Sequence, residues 1–530
     1  MFTRRHLITG ILVASLLAGC SGNVLAWGSA STTSPLETPL VGYTPVPSPT
    51  QGPTLPPSVT PLMVLPDPGS PGGTASPQPT PTLPPVNTGG PMIVYRAQGG
   101  DTLQILAKRF GVSLGQIISA ENVNLPAPDV MLQPGAILLV PNLLTDTLSP
   151  GDQLIPDSEV VLSPSSLGFD TEGYVRQQGG YLSTYSEYLI TYGKTNGAQA
   201  VNRIALDNSL SPRILLAIIE YQSHWVLGQP TNLAQDDYPL GYHHFYYKRL
   251  FRQMMWASGQ LSDGYYKWRS GDLTELTFSD GSTVRMNPRL NAGTAAIQYF
   301  FALTNDRAGW EQAVAPSGFA ALYRRMFGDP WARAAAVEPM IPAGLTQPTL
   351  TLPFEPGRVW SFSGGPHSVW ELEGGALAAL DFAPASVEHG CAKSDQWVVA
   401  PAAGVVVRSA HDVVILDLDG DGLEQTGWNL LFLHIGPEGR VEAGSVLQAG
   451  DRIGHPFCIA GGASSGTHVH IARKYNGEWM LVDGPLPFNM DGWVARGNGI
   501  PYKGTLTRGD QVIEACACGT YSTRIVRDKK

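Results

Sequence analysis

No apolar run in this 530-residue chain reaches the roughly 18–20 positions that a membrane-crossing helix needs, so a polytopic membrane protein is excluded. Charge is sparse, at 15% of residues, and the balance is acidic, at −10. A protein built to coat nucleic acid would carry the opposite sign in quantity. Charge all but vanishes from residues 41–90, which hold fifteen prolines and one charged residue, Asp67. Such a stretch cannot bury enough apolar surface to fold, so the folded mass lies beyond it. Cysteine is scarce too, with five residues. The length that remains suits about three or four domains.

What is present begins with an export pattern. Arg4 and Arg5 precede an apolar stretch from Leu7 to Gly19, and small residues lead to Cys20. These are the parts of a signal peptide. Leu17-Ala18-Gly19-Cys20 resembles the bacterial lipobox, which implies lipidation of Cys20 and a membrane lipid anchor. Thr3-Arg4-Arg5-His6-Leu7-Ile8 also resembles a twin-arginine signal. Residues 21–91 then read as an extended Pro/Thr/Ser-rich tether. The other cysteines, Cys391, Cys458, Cys516 and Cys518, all lie toward the C-terminus. Their spacing does not suit a zinc site, and disulfides in any of three pairings are expected.

Residues 92–142 read as β-α-α-β: a strand from Ile93, a helix Leu103–Phe110, a second helix near Leu114–Ala120, and a strand Ala136–Val140. With Tyr95, Gly100-Asp101-Thr102-Leu103, Asn122 and Gln133-Pro134-Gly135 in order, the segment resembles the LysM domain. That resemblance implies peptidoglycan as a partner, held through its N-acetylglucosamine-containing glycan. Residues 143–172 read as a linker.

Residues 173–348 read as an all-α domain. Ser211-Pro212 starts a helix through the apolar run Ile214–Ile219, which is apolar all round and therefore buried. Ending in Glu220-Tyr-Gln-Ser-His224, it resembles the lysozyme-type transglycosylases. Gln222 occupies the place of their acid, and a carboxamide cannot donate that proton. Glu220 lies two positions away on another side of the helix. The domain is therefore read as lysozyme-like and non-catalytic, a holder of glycan.

From 349 to 530 the texture becomes short β-rich runs with glycine turns, expected to form an antiparallel β-sandwich or open barrel; the whole chain is thus multidomain α+β. His468 and His470 sit two apart on a predicted strand, so both imidazoles face one way. Burying such a pair is costly unless something binds it, and neutral imidazole is a good zinc ligand. His367, Asp381 and His434 add two more imidazoles and a carboxylate, the composition of a catalytic zinc site with an open position. With Gly364-Gly365-Pro366-His367, Gly450-Asp451-Arg452-Ile453-Gly454 and Gly466-Thr467-His468-Val469-His470, the segment resembles the lysostaphin-type, LytM-like zinc endopeptidases, in their staphylolysin-like branch. Most of that family carries a histidine four residues before the aspartate; here the position is Leu377, and His367 takes its part. The resemblance implies Zn2+ on His367, Asp381 and His470, with His434 and His468 as the catalytic pair and a peptidoglycan peptide as substrate. Asp417-Leu-Asp419-Gly-Asp421-Gly422 matches the start of an EF-hand loop, but its twelfth position is Trp428 rather than glutamate, so it reads as an acidic hairpin turn.

Two functions fit this architecture: a lipid-anchored endopeptidase that remodels the cell wall, or a catalytically inactive activator of cell-wall amidases. Degenerate domains lose ligands, and this one keeps a full set. A third, glycan cleavage by the middle domain, would depend on Glu220.

Overall fold

A computed structural model describes residues 91–529 apart from 371–373, 387, 389 and 459–463, all within the unit 83–530. Residues 1–90, which hold the segment read as a signal peptide, Cys20 and all but the last residue of the segment read as a tether, lie outside the described residues. Among the described residues, no helix is long and apolar enough to cross a membrane.

The first module pairs β1 (Met92–Arg96) with β3 (Ile137–Pro141), and β3 with β2 (Ile118–Ser119), all antiparallel. The helix Leu103–Phe110 begins where the Thr102 hydroxyl accepts the Ile105 N–H, at 3.2 Å, and lays Leu103, Leu106 and Phe110 on Tyr95, Leu138 and Val140. The second helix expected at Leu114–Ala120 is instead one 3-10 turn, Leu114–Gln116. Ile118 and Ser119 gain more by pairing with β3, because that satisfies their backbone groups along an otherwise bare edge.

The middle region is mainly helical but not all-α. Two hairpins interrupt it: β4 (Ser186–Leu189) with β5 (Gly193–Asn196), and β6 (Glu275–Thr277) with β7 (Thr283–Arg285). Pro212–Ser223 is the buried helix the apolar run demands, and it packs with Leu250–Ser270 and Ala292–Thr304 in one core. Nor is 143–172 a free linker. Leu154, Ile155, Val160 and Val161 are buried in the helical core, and Asp157 accepts the Gly293 N–H at 2.7 Å, capping the 292–304 helix. Polar residues in that stretch disguise a segment that folds with the helices C-terminal to it.

The C-terminal region supplies β8 (Val359–His367), β9 (Ala379–Pro384), β10 (Val398–Val399), β11 (Gly404–Ala410), β12 (Val413–Asp417), β13 (Trp428–Leu433), β14 (Val446–Leu447), β15 (Arg452–Gly454), β16 (Val469–Tyr475), β17 (Glu478–Trp479), β18 (Asn489–Met490), β19 (Trp493–Gly497), β20 (Gly504–Arg508), β21 (Gln511–Glu514) and β22 (Arg524–Val526). The main antiparallel sheet runs β14-β11-β12-β13-β16-β9-β8-β22, with β17 beside β16; β18, β19, β20 and β21 form a second sheet, and β10 pairs with β15 in a third. Both faces of the main sheet are buried. Val414, Leu416, Leu430 and Phe432 enter a core with Met490, Trp493 and Leu506 of the second sheet. Their neighbours Val413, Ile415, Leu431 and Leu433 enter the same core as the helices. Double burial explains why β12 and β13 read as continuous apolar runs rather than alternating ones. It also makes the helical region and the C-terminal β-rich region one structural body. A buried ion cluster ties all three regions: Arg269 of the long helix pairs with Asp157 at 3.0 Å and Glu478 of β17 at 2.9 Å, and donates to the Gly99 carbonyl.

Candidate active site

Register places the site. On β16, His470 stands directly opposite Asp381 of β9 and Leu433 of β13, so His470 and Asp381 share one sheet face and His434 follows at the end of β13. On the other side of β9, Gly364 stands opposite Asp381, with register shifts on both sides of it before His367. Such irregularities re-aim side chains, and here they turn the His367 ring onto the Asp381–His470 pair. The two glycines are sterically required. A Cβ on Gly364 would lie 2.5 Å from the Asp381 Oδ2, and one on Gly365 would lie 2.7 Å from the Lys503 backbone.

All five sequence-predicted residues come together. His367 Nε2 lies 3.0 Å from His470 Nδ1 and 3.3 Å from Asp381 Oδ1, and His470 Nδ1 lies 3.2 Å from the same oxygen. His468 Nε2 stands 3.5 Å from it. The His434 ring lies 4.6 Å from that of His468 and 6.2 Å from that of His470. His367, Asp381, His434 and His470 are all buried. His434 also adopts a left-handed backbone, φ 61°, a strained geometry for a residue with a Cβ.

Backbone carbonyls set the tautomers. His367 Nδ1 is 2.7 Å from the Gly365 carbonyl and His468 Nδ1 is 2.8 Å from the Gly466 carbonyl. A carbonyl only accepts, so each Nδ1 carries a hydrogen, and Nε2 is the atom that offers a lone pair to the site whenever the ring is neutral. Burial pulls the His367 pKa down, but the Asp381 charge and the Gly365 carbonyl outweigh it and hold it above the usual imidazole value. Burial would raise Asp381; the facing His367 and His468 imidazoles instead hold its carboxyl well below the usual range. Burial pushes His470 down to about 4, keeping it neutral.

Asp381 Oδ1 is fully enclosed yet accepts no well-formed hydrogen bond. His367 Nε2, His470 Nδ1 and the orphaned Asp381 Oδ1, at 3.0–3.3 Å from one another, match the donor spacing of about 3.3 Å around a tetrahedral zinc with bonds near 2.0 Å. The donor set fits zinc.

Tyr502 was not legible from the sequence. Its ring stacks on His367 with centroids 4.2 Å apart, and its backbone locks onto the glycine segment: its N–H donates to the Pro366 carbonyl and its carbonyl accepts the Gly365 N–H. Burial, then the nearby Asp381 charge, raises its pKa. The turn that carries it has no pattern of its own. The site opens on a cleft of about 1110 Å³ that Ser363, Trp370, Lys393, Thr467 and Tyr502 help to line. Cys391 pairs with Cys458 and Cys516 with Cys518, and Cys516 also borders the cleft.

The other candidates lie elsewhere. Glu220 Oε2 accepts the N–H groups of Val226 and Leu227 at 3.0 and 2.8 Å, so it fastens the turn after its helix. Gln222 donates to the Thr304 hydroxyl. Asp417 ends β12, and Asp419 and Asp421 follow on the β12–β13 connection, at the sheet end remote from His434.

Comparison with known proteins adds two family matches. Residues 95–141 match the model of the LysM domain, and residues 153–341 match that of the LasA N-terminal domain. The second match covers the helical region, read from sequence as lysozyme-like, and starts inside the stretch read as a linker. Among solved structures, the chain is similar to Pseudoalterin, an M23 metalloprotease from the deep sea, at 22% identity, over 32% of this chain and 96% of that one, with a TM-score of 0.26. It is also similar to a zinc-containing peptidase from Vibrio cholerae, at 14% identity, over 27% and 41%, with a TM-score of 0.19. For Helicobacter pylori Csd3 the values are 19%, 25% and 32%, and 0.17, so the chain spans less than half the length of these last two. No curated protein sequence matches it. Residues 95–141 are thus similar to LysM domains, and residues 153–341 to the LasA N-terminal domain.

Proposed function

We propose that the protein is an exported, lipid-anchored zinc endopeptidase that hydrolyses peptide bonds in peptidoglycan stem peptides or cross-bridges. Cys20 would carry the anchor, 21–91 the tether, 92–142 the glycan contact, and 349–530 the chemistry. The observation that carries the reading is the triangle of His367 Nε2, His470 Nδ1 and the orphaned carboxylate oxygen Asp381 Oδ1.

His367, Asp381 and His470 would hold the ion. When bound, zinc supplies a Lewis acid that acidifies a water toward neutrality and polarises a carbonyl. The chain's own groups do the rest. His468, its hydrogen fixed on Nδ1, offers Nε2 to take the proton of the attacking water and return it to the leaving amine. His434 beside it would donate to the oxygen of the tetrahedral intermediate. Tyr502, stacked on His367, holds that ligand's ring plane and walls the cleft.

The test is digestion of purified peptidoglycan by the mature chain, with released peptide ends identified by mass spectrometry. His468→Ala should keep its metal and lose rate by about 100-fold or more in kcat. Unchanged cleavage by His468→Ala would contradict the mechanism. No cleavage by a metal-loaded wild-type chain would favour the amidase-activator reading.

A further inference from the structure

The β12–β13 connection carries a cluster that the proposed chemistry does not use. Asp417, Asp419 and Asp421 each offer a carboxylate oxygen, and the three atoms lie within 4.8 Å of one another. Donors around an ion with bonds of 2.3–2.6 Å stand at most about 5 Å apart, so one calcium-sized ion can touch all three. Among the described residues no ion pair reaches any of them, although Glu424 in the same loop takes both Arg408 and Lys474. Three carboxylates thus stand together without a cation, one of them, Asp417, wholly buried.

An acidic cluster alone is a common surface feature. The second observation is Asn429, which has no exposed surface and whose side-chain Oδ1 has no hydrogen-bond partner. Asn429 is the cross-strand partner of Asp417, so the two side chains leave the sheet on the same face at the base of the loop. Its Nδ2 donates to the Thr426 carbonyl at 2.8 Å and leans toward that of Leu423 at 3.4 Å. The nitrogen end of the amide thus faces the loop carbonyls, while the side chain as a whole stands beside that of Asp417, its cross-strand partner on the same face. A buried carbonyl oxygen without a donor is costly, and a bound cation would relieve that cost.

We propose that this loop is a calcium site, with ligands from Asp417, Asp419, Asp421 and the side-chain carbonyl of Asn429. Trp428 at the twelfth position removes the usual glutamate, and Asn429, one residue on, supplies an oxygen in its place. All donors are hard oxygens on a glycine-rich loop, which suits calcium better than the smaller magnesium with its strict octahedron. The loop is also a junction. Gly427 donates to Asn476, and Asn476 donates to the Met340 carbonyl of the helical body. An ion here would brace the contact between sheet and helices, far from the histidine cluster.

The probe is terbium, excited through Trp428, which adjoins the loop. Wild-type mature chain should give terbium emission that calcium displaces and magnesium at equal concentration does not, and calcium should raise its Tm. Asp419 and Asp421 are exposed, so Asp419→Asn with Asp421→Asn should fold normally while losing the emission and at least tenfold in calcium affinity. Asp381→Asn should keep the emission, because it touches only the histidine cluster. Absence of calcium-displaced emission from wild type, its survival in the double variant, or its loss in Asp381→Asn would each overturn the proposal.

Discussion

Replacing Glu338 by glutamine should stabilise the protein in a strongly pH-dependent way. Glu338 accepts the Ser158 N–H at 2.9 Å beside Asp157, and Asp157 and Glu478 already share Arg269. Three carboxylates therefore face one guanidinium. Burial, then the Asp157 charge, pushes the Glu338 pKa from 4.5 up to about 7, with Ser158 and Arg269 opposing. A carboxyl raised in the folded state contributes fully below its unfolded value, near 4.5, and that contribution is lost as pH rises to 7. At about 1.4 kcal/mol per pH unit, charging Glu338 costs up to about 3 kcal/mol above pH 7 and less than about 1 at pH 5. Partial exposure makes the larger figure an upper bound, because water screens the repulsion. Glutamine keeps the acceptor for Ser158 and removes the charge. Urea denaturation followed by tryptophan fluorescence at pH 5 and 8 should show Glu338→Gln gaining about 2–3 kcal/mol over wild type at pH 8 and little at pH 5. Equal effects at both pH values, or a loss at pH 8, would mean that Glu338 is not held near neutrality by its neighbours.

Further consequences arise from the packing. Gly364→Ala drives a methyl against Asp381 Oδ2 and should weaken zinc binding about 10–100-fold, read by competition with a chelating dye. Tyr502→Ala removes the ring stacked on His367 and should cost about tenfold in the same assay, whereas Tyr502→Phe should bind zinc like wild type. Residues 349–530 expressed alone would bare Val413, Ile415, Leu431, Leu433 and Trp479, so that segment should aggregate or bind a hydrophobic dye while 91–530 remains monodisperse in size-exclusion chromatography. Arg269→Met leaves Asp157, Glu338 and Glu478 without their cation and should destabilise the chain by about 3–5 kcal/mol in the denaturation assay.

The chemistry-bearing residues were legible because strand alternation and short motifs report directly on which side chains share a face. His468 and His470 two apart, and His367 behind a glycine pair, needed no tertiary information. What the sequence concealed was tertiary in origin. The turn that replaces a second helix at 114–120 depends on a bare edge of β3. The 143–172 stretch looked like a linker because its polar residues cap helices and join ion clusters elsewhere, as Asp157 does at Gly293. Tyr502 reaches His367 only through backbone bonds between distant loops. β12 and β13 read simply as short β-rich runs, and nothing local says that their second face belongs to the helices.

The functional reading stands or falls on whether His367, Asp381 and His470 hold one zinc ion. Elemental analysis of the chain from residue 21 onward, after dialysis against metal-free buffer, decides this, alongside His470→Ala and Asp381→Asn. About one zinc per wild-type chain is expected and essentially none in either variant, each still folded by circular dichroism. Zinc retained in both variants, or absent from a folded wild-type chain supplied with zinc, would contradict it.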